Sequence, residues 1–183
     1  VEFIEPAGML FTPSNQGADD LDSDADQTTG RSDVIVLANG DNINTIDAGL
    51  YPPTDVTLDK TFVSATLQGN GTYNVTYTVT VTNLGGPGQY DLNDTPAFDN
   101  DITINSASYT STAPGNAGSV LAGSGPWTLA SDQAIVAFAT HTYTLVVNVG
   151  MNLNGGTGDD TYTACGESNG TPQPGEGLFN RAS

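Results

Sequence analysis

The stretch TYNVTYTVTVTNL, residues 72–84, sets Tyr73, Val75, Tyr77, Val79 and Val81 against Asn74, Thr76, Thr78, Thr80 and Thr82. Side chains on a β-strand alternate between its two faces, so this period of two buries one row and wets the other. The Thr and Val content suits a pleated, half-buried surface.

Working outward, the same alternation returns in HTYTLVVNVGMNL (141–153), DVIVLANG (33–40), NTIDAGLY (44–51), DVTLDKTFVSATL (55–67) and DITINSASYTST (101–112). No segment keeps helical spacing over three turns. The clusters LGGPGQ, APGNAGS, GSGP, NGGTG and PQPGEG punctuate the strands as turns. The pattern predicts an all-β, sandwich-like chain.

Charge narrows the function. There are 21 Asp plus Glu against 3 Lys plus Arg in 183 residues, a formal net charge of −18. Nearly every carboxylate lacks a cationic side chain to pair with, and such a surface repels nucleic acid and anionic lipid. Metal cations are the fitting counter-charges. The chain shows no signal-peptide core and no membrane span, and it begins at Val1, which reads as a piece of a longer precursor. The single cysteine, Cys165, forbids an internal disulfide and a cysteine-built zinc site. The Asp, Gly, Asn and Thr bias suits a secreted protein; halophilic cytosolic proteins share the acidity.

A boundary falls in AGLYPPTDVTL. Pro52 and Pro53 cannot donate to a sheet ladder, which predicts a linker at 52–54 between a first domain, 1–51, and a second, 55–183. About fifty residues is small for an independent core, so the first domain is expected to be incomplete.

Residues 1–51 resemble the C-terminal half of an SdrD B-like repeat, a prealbumin-like β-sandwich of bacterial surface adhesins. The match runs through VEFIEPAGMLFTPSNQGADD, LDSDADQTTGRSDVIVLANGD and the closing TIDAGLYPP. From Val56 onward VTLDKTF, NVTYTVTVTNLGGPGQYDLNDTPAF and GEGLFNRAS look like an Ig-like repeat of the DUF11 type. The resemblance implies a partial prealbumin-like sandwich followed by an Ig-like sandwich, in a stalk or adhesive scaffold on the bacterial cell surface rather than an enzyme.

Asp22, Asp24 and Asp26 occupy positions one, three and five of a calcium-type loop. Position six is Gln27 rather than Gly, position twelve is Asp33 rather than Glu, and no helices flank the loop, so this is no EF-hand. The resemblance to SdrD B-like repeats, which bind calcium through acidic loops between strands, implies a site at Asp22, Asp24 and Asp26 with Asp20 and Asp47. A solvated acidic turn is the bland alternative. In YDLNDTPAFDNDI, Asp91, Asp94, Asp99 and Asp101 fit no ligand spacing and read as a solvated loop across a Pro-containing turn, a second calcium site being the lesser reading. Asp159 and Asp160 in GTGDDTY carry less.

Catalytic arrangements are weak. His141, the only histidine, shares a strand face with Tyr143 and Leu145, which a half-buried core position explains. Cys165 has no cation or histidine beside it in sequence to activate it. A chance carboxylate pair with glycosidase spacing lacks an aromatic-lined cleft. Trp127 in GSGPWTLA reads as a core plug. The sequons at Asn70, Asn74, Asn93 and Asn169 are what Thr-rich strands generate by chance.

Lys60, the only lysine, lies on the first strand of the second domain. Related surface domains condense such a lysine with an Asn on the last strand, here Asn180 in LFNRAS, when an Asp or Glu sits between them in an apolar core; an exposed edge-strand lysine is the bland reading. Relatives of the TACGES loop often carry another cysteine downstream, which implies a disulfide from Cys165 to a residue beyond Ser183. The expected partners are neighbouring domains or copies of the same protein, head to tail, because the first sheet is expected to lack strands before Val1 and the last to need completing after GLFNRAS. An isolated fragment is then expected to be poorly folded before Tyr51 or to form filaments. The competing class is a ligand-binding module for glycan, ice or a host protein, which a flat Thr face or an aromatic platform would favour.

Overall fold

The computed structural model describes residues 1–152 and 177–183. These residues are all-β, with no helix among them, and they divide into two units, Val1–Asp55 and Val56–Ser183.

In the first unit the regular structure is slight. Strand β1 (Leu10–Phe11) pairs antiparallel with β2 (Leu50–Tyr51), and isolated bridges join Glu2 to Arg31 and Ser14 to Ser23. Its small interior gathers Phe11, Ser23, Ala25 and Gly30. Gly30 has φ +67°, and a Cβ there would meet the Phe3 carbonyl at 2.3 Å and the Phe11 ring at 3.2 Å. Only glycine fits this close approach.

The strand expected in DVIVLANG does not form, and in NTIDAGLY only the last two residues do. Val34 and Val36 are 93% and 83% exposed. Alternation yields a buried face only where a neighbouring strand supplies hydrogen bonds and a second layer covers it, and among the described residues no strand pairs with 33–40.

In the second unit β3 (Val56–Leu67), β4 (Tyr73–Asn83), β6 (Ile102–Ser111), β7 (Val120–Leu121) and β9 (Thr140–Met151) form one sheet in the order β3-β4-β9-β6-β7. A second sheet has the order β10-β5-β8, from β5 (Gly88–Pro96), β8 (Trp127–Ile135) and β10 (Asn180–Ala182). The two share one core. Val75, Tyr77, Val79 and Val81 of β4 and Tyr143, Leu145, Val147 and Val149 of β9 pack with Leu92 of β5 and Trp127, Leu129 and Ile135 of β8. Burial of each such side chain contributes about 1.5–3 kcal/mol before entropy is counted. The alternating strand of 72–84 is thus an interior strand of the larger sheet, flanked by β3 and β9.

The outer face of that sheet is a regular hydroxyl array. Across the strands Thr57, Thr82 and Thr140 fall in one row, and Thr61, Thr78, Thr144 and Thr110 in another. Thr82 Oγ1 lies 3.3 Å from Thr140 Oγ1, and Asn148 joins Asn74 and Asn105 through side-chain hydrogen bonds of 2.7 and 3.0 Å.

YDLNDTPAFDNDI is not the expected solvated loop. Its first half is strand β5, the centre of the smaller sheet, and Asp94, Asp99 and Asp101 are buried. The inward row of β5 runs Tyr90, Leu92, Asp94, so its third member is a carboxylate and the apolar signal breaks off there. In β8 the alternation of Trp127 and Leu129 is interrupted at Ala130 and by positive φ at Asp132, which hides that strand in the sequence.

Candidate functional site

The acidic loop of the first unit is shaped by alternation about its buried residues. Ser23 and Ala25 are buried in the small core, while Asp22 and Asp24 are half-buried and Asp26 is exposed. Each carboxylate already has local work. Asp22 Oδ2 accepts the Gly17 N–H at 2.9 Å, and Asp24 Oδ2 accepts the Asp47 N–H at 2.9 Å. Asp26 Oδ1 accepts the Thr29 hydroxyl and N–H, both at 2.8 Å, and the Thr28 N–H at 3.1 Å. The Thr29 bonds, hydroxyl first, hold the Asp26 carboxyl below its usual range. Asp24 and Asp47 are therefore together, Asp20 is exposed on a neighbouring turn, and Asp26 faces its own threonines. Among the described residues no three Asp, Glu, His or Cys side chains are grouped as a ready cation site. Among the buried oxygens of this loop, Asp22 Oδ1 has no hydrogen bond. Hard oxygen donors with an orphaned carboxylate oxygen fit calcium's chemistry.

A second cluster lies inside the second unit. Lys60 on β3, an edge strand, points inward and meets Asp94 Oδ2 on β5 in an ion pair. The Lys60 side chain is 11% exposed and Asp94 is wholly buried, so the reading of Lys60 as an exposed edge-strand guard is corrected. Lys60 Nζ also stands 5.0 Å from the centre of the Tyr77 ring. Burial lowers the Lys60 pKa, opposed by the Asp94 charge and hydrogen bond; burial raises that of Asp94, opposed by Lys60 and then by Asn180. Asn180 lies on β10, beside β5. Its amide is near enough to weigh on the Asp94 carboxyl, yet neither its oxygen nor its nitrogen makes a hydrogen bond of regular geometry, and both are buried, as is the unpartnered Asp94 Oδ1. The third member, Asp94, is placed by the sequence only in the acidic cluster of 90–102; its signal is an acidic residue at an inward position of a period-two row with Tyr90 and Leu92.

His141 is a core residue. Its Nδ1 lies 2.8 Å from the Tyr90 hydroxyl, which lies 2.7 Å from that of Tyr143. Burial lowers the His141 pKa, and burial, then Tyr143, raises that of Tyr90. Trp127 is 4% exposed and its Nε1 donates to the Ala122 carbonyl at 3.0 Å, the expected core plug. Cys165, Asp159 and Asp160 and the sequon at Asn169 lie outside the described residues.

Neither the curated proteins nor the solved structures contain a match to this chain. Residues 1–50 match the family model of the SdrD B-like domain, so the first unit is similar to a repeat of that kind.

Proposed function

We propose that this chain is a non-enzymatic structural module of a large extracellular bacterial surface protein, in which calcium stiffens an SdrD B-like unit and a DUF11-type Ig-like sandwich extends it. The observation that carries this reading is the match of residues 1–50 to the SdrD B-like domain model. The set Asp22, Asp24 and Asp26, with Asp24 tied to Asp47, supports it. Calcium would be held by these four and by Asp20, drawing Asp26 away from Thr29 and using the orphaned Asp22 Oδ1. Its chemical contribution is to cancel repulsion in a chain of net charge −18 and to stabilise the folded loop by mass action. Neighbouring domains or copies of the same protein, joined head to tail, are the partners this role requires. Calcium titration of the purified chain tests the reading: heat evolved on binding together with a raised melting temperature supports it, and a melt unchanged by millimolar calcium rejects it.

A second reading is favoured by the Thr rows on the outer face of the larger sheet, which offer repeated hydroxyls to a glycan, to ice or to a host protein. Glycan-array binding or inhibited ice growth that disappears in Thr78→Lys/Thr80→Lys supports this reading; no binding to either leaves the structural module.

A further inference from the structure

We propose that Lys60 and Asn180 become joined by an isopeptide bond that the second unit forms by itself, with Asp94 relaying the protons, so that its first and last strands are tied across the two sheets.

The placement is specific. Of three cationic side chains in the chain, Arg31 and Arg181 are exposed, and only Lys60 is turned inward. It reaches Asp94, the inward residue of the central strand of the opposite sheet. In the β10–β5 ladder Asn180 stands opposite Pro96 and Ala182 opposite Asp94, so Asn180 and Asp94 are diagonal neighbours on one face. β3 and β10 themselves are in contact. A nucleophile, a proton carrier and an amide with no hydrogen bond of regular geometry are thus collected in one dry place.

The chemistry follows from burial. An ion pair taken out of water repays its desolvation only when the remaining lone pairs and protons are satisfied, and here Asp94 Oδ1 is not. Burial moves both partners toward their neutral forms, an amine on Lys60 and a carboxylic acid on Asp94. The neutral amine attacks Cγ of Asn180 while the Asp94 acid protonates Oδ1 of the amide. The carboxylate then takes a proton from the attacking nitrogen and delivers it to the amide nitrogen, the Cγ–Nδ2 bond breaks, and ammonia leaves. The Oδ1 proton returns to Asp94 as the carbonyl reforms. One C–N bond is exchanged for another, nothing is oxidised, and the product places a neutral amide where a charged pair was buried.

The test is the intact mass of the full 183-residue chain, followed by peptide mapping. We expect a mass lower than the sequence mass by one ammonia, trypsin unable to cut after Lys60 in the denatured chain, and a branched peptide joining Lys60 to Asn180. Asp94→Asn should show its calculated mass with Trp127 emission still that of a buried indole, and Asn180→Asp should lose one water instead of ammonia. The proposal is overturned by the calculated mass in the unmodified, folded chain. It is overturned equally by an ammonia loss that maps to Asn39 or Asn70, each followed by glycine, while trypsin cuts after Lys60. A bond formed in full by Asp94→Asn removes Asp94 from the mechanism. The inference rests on the second unit alone and stands whether or not the first takes calcium.

Discussion

Asp24 and Asp47 grip each other twice: the Asp24 N–H donates to the Asp47 carbonyl at 3.0 Å, and the Asp47 N–H donates to Asp24 Oδ2 at 2.9 Å. The acidic loop is thereby tied to the segment leading into β2, 23 residues away in sequence. Asp24 is thus an acceptor that closes the unit, and under the proposed function it is also a charge that recruits a cation.

Two substitutions divide those roles. Asp24→Ala removes the acceptor and should cost the first unit about 1 kcal/mol, read as faster hydrogen exchange at the Asp47 amide. Asp24→Asn keeps an acceptor oxygen and should leave that exchange nearly unchanged while weakening the response to calcium. Equal behaviour of the two variants in calcium would mean that the charge is irrelevant.

Chelation should act on one unit only. With EDTA, proteolysis between Gly17 and Asp33 is expected to rise while the sandwich from Val56 onward stays resistant, and magnesium should restore protection poorly because an all-carboxylate loop suits the larger ion. Cleavage patterns identical with and without EDTA would reject the metal.

His141 predicts a pH dependence with a definite sign. Burial holds its folded pKa below the ordinary 6.5, so the unfolded chain binds the proton more readily. This residue's contribution is full above 6.5 and is lost as the pH falls through the folded value. Urea midpoints of the unmodified chain should therefore drop more between about pH 7.5 and pH 5 than those of His141→Gln, the difference isolating this group from the carboxylates.

Trp127, the only tryptophan, makes the second unit visible by itself. Its emission should shift red on unfolding of the sandwich and stay unmoved when the first unit loosens. Trp127→Ala should cost about 3–5 kcal/mol by opening a cavity between the sheets. A loss below about 1 kcal/mol would show that the core does not depend on it.

The larger sheet was legible in the sequence because its strands obey a local rule. In 72–84 apolar and polar residues alternate, and in 141–153 the buried row His141, Tyr143, Leu145, Val147 and Val149 keeps the period of two through the run Leu145–Val147; burial at i and i+2 is decided by backbone geometry without reference to distant residues. The same rule named DVIVLANG a strand and failed, since alternation describes a surface waiting for a neighbour and carries no information on whether one arrives. Sequence likewise singled out Lys60 as a loner by composition, Asn180 through the resemblance to related surface domains, and Asp22, Asp24 and Asp26 by spacing. What only the tertiary structure decided was the third partner: Asp94, 34 residues from Lys60, is drawn to it because β5 and β3 lie in opposite sheets facing one core. A carboxylate on an inward row reads as a loop in one dimension. It becomes a buried site only when a second sheet closes over it, excludes water, and supplies the lysine and the amide that it faces.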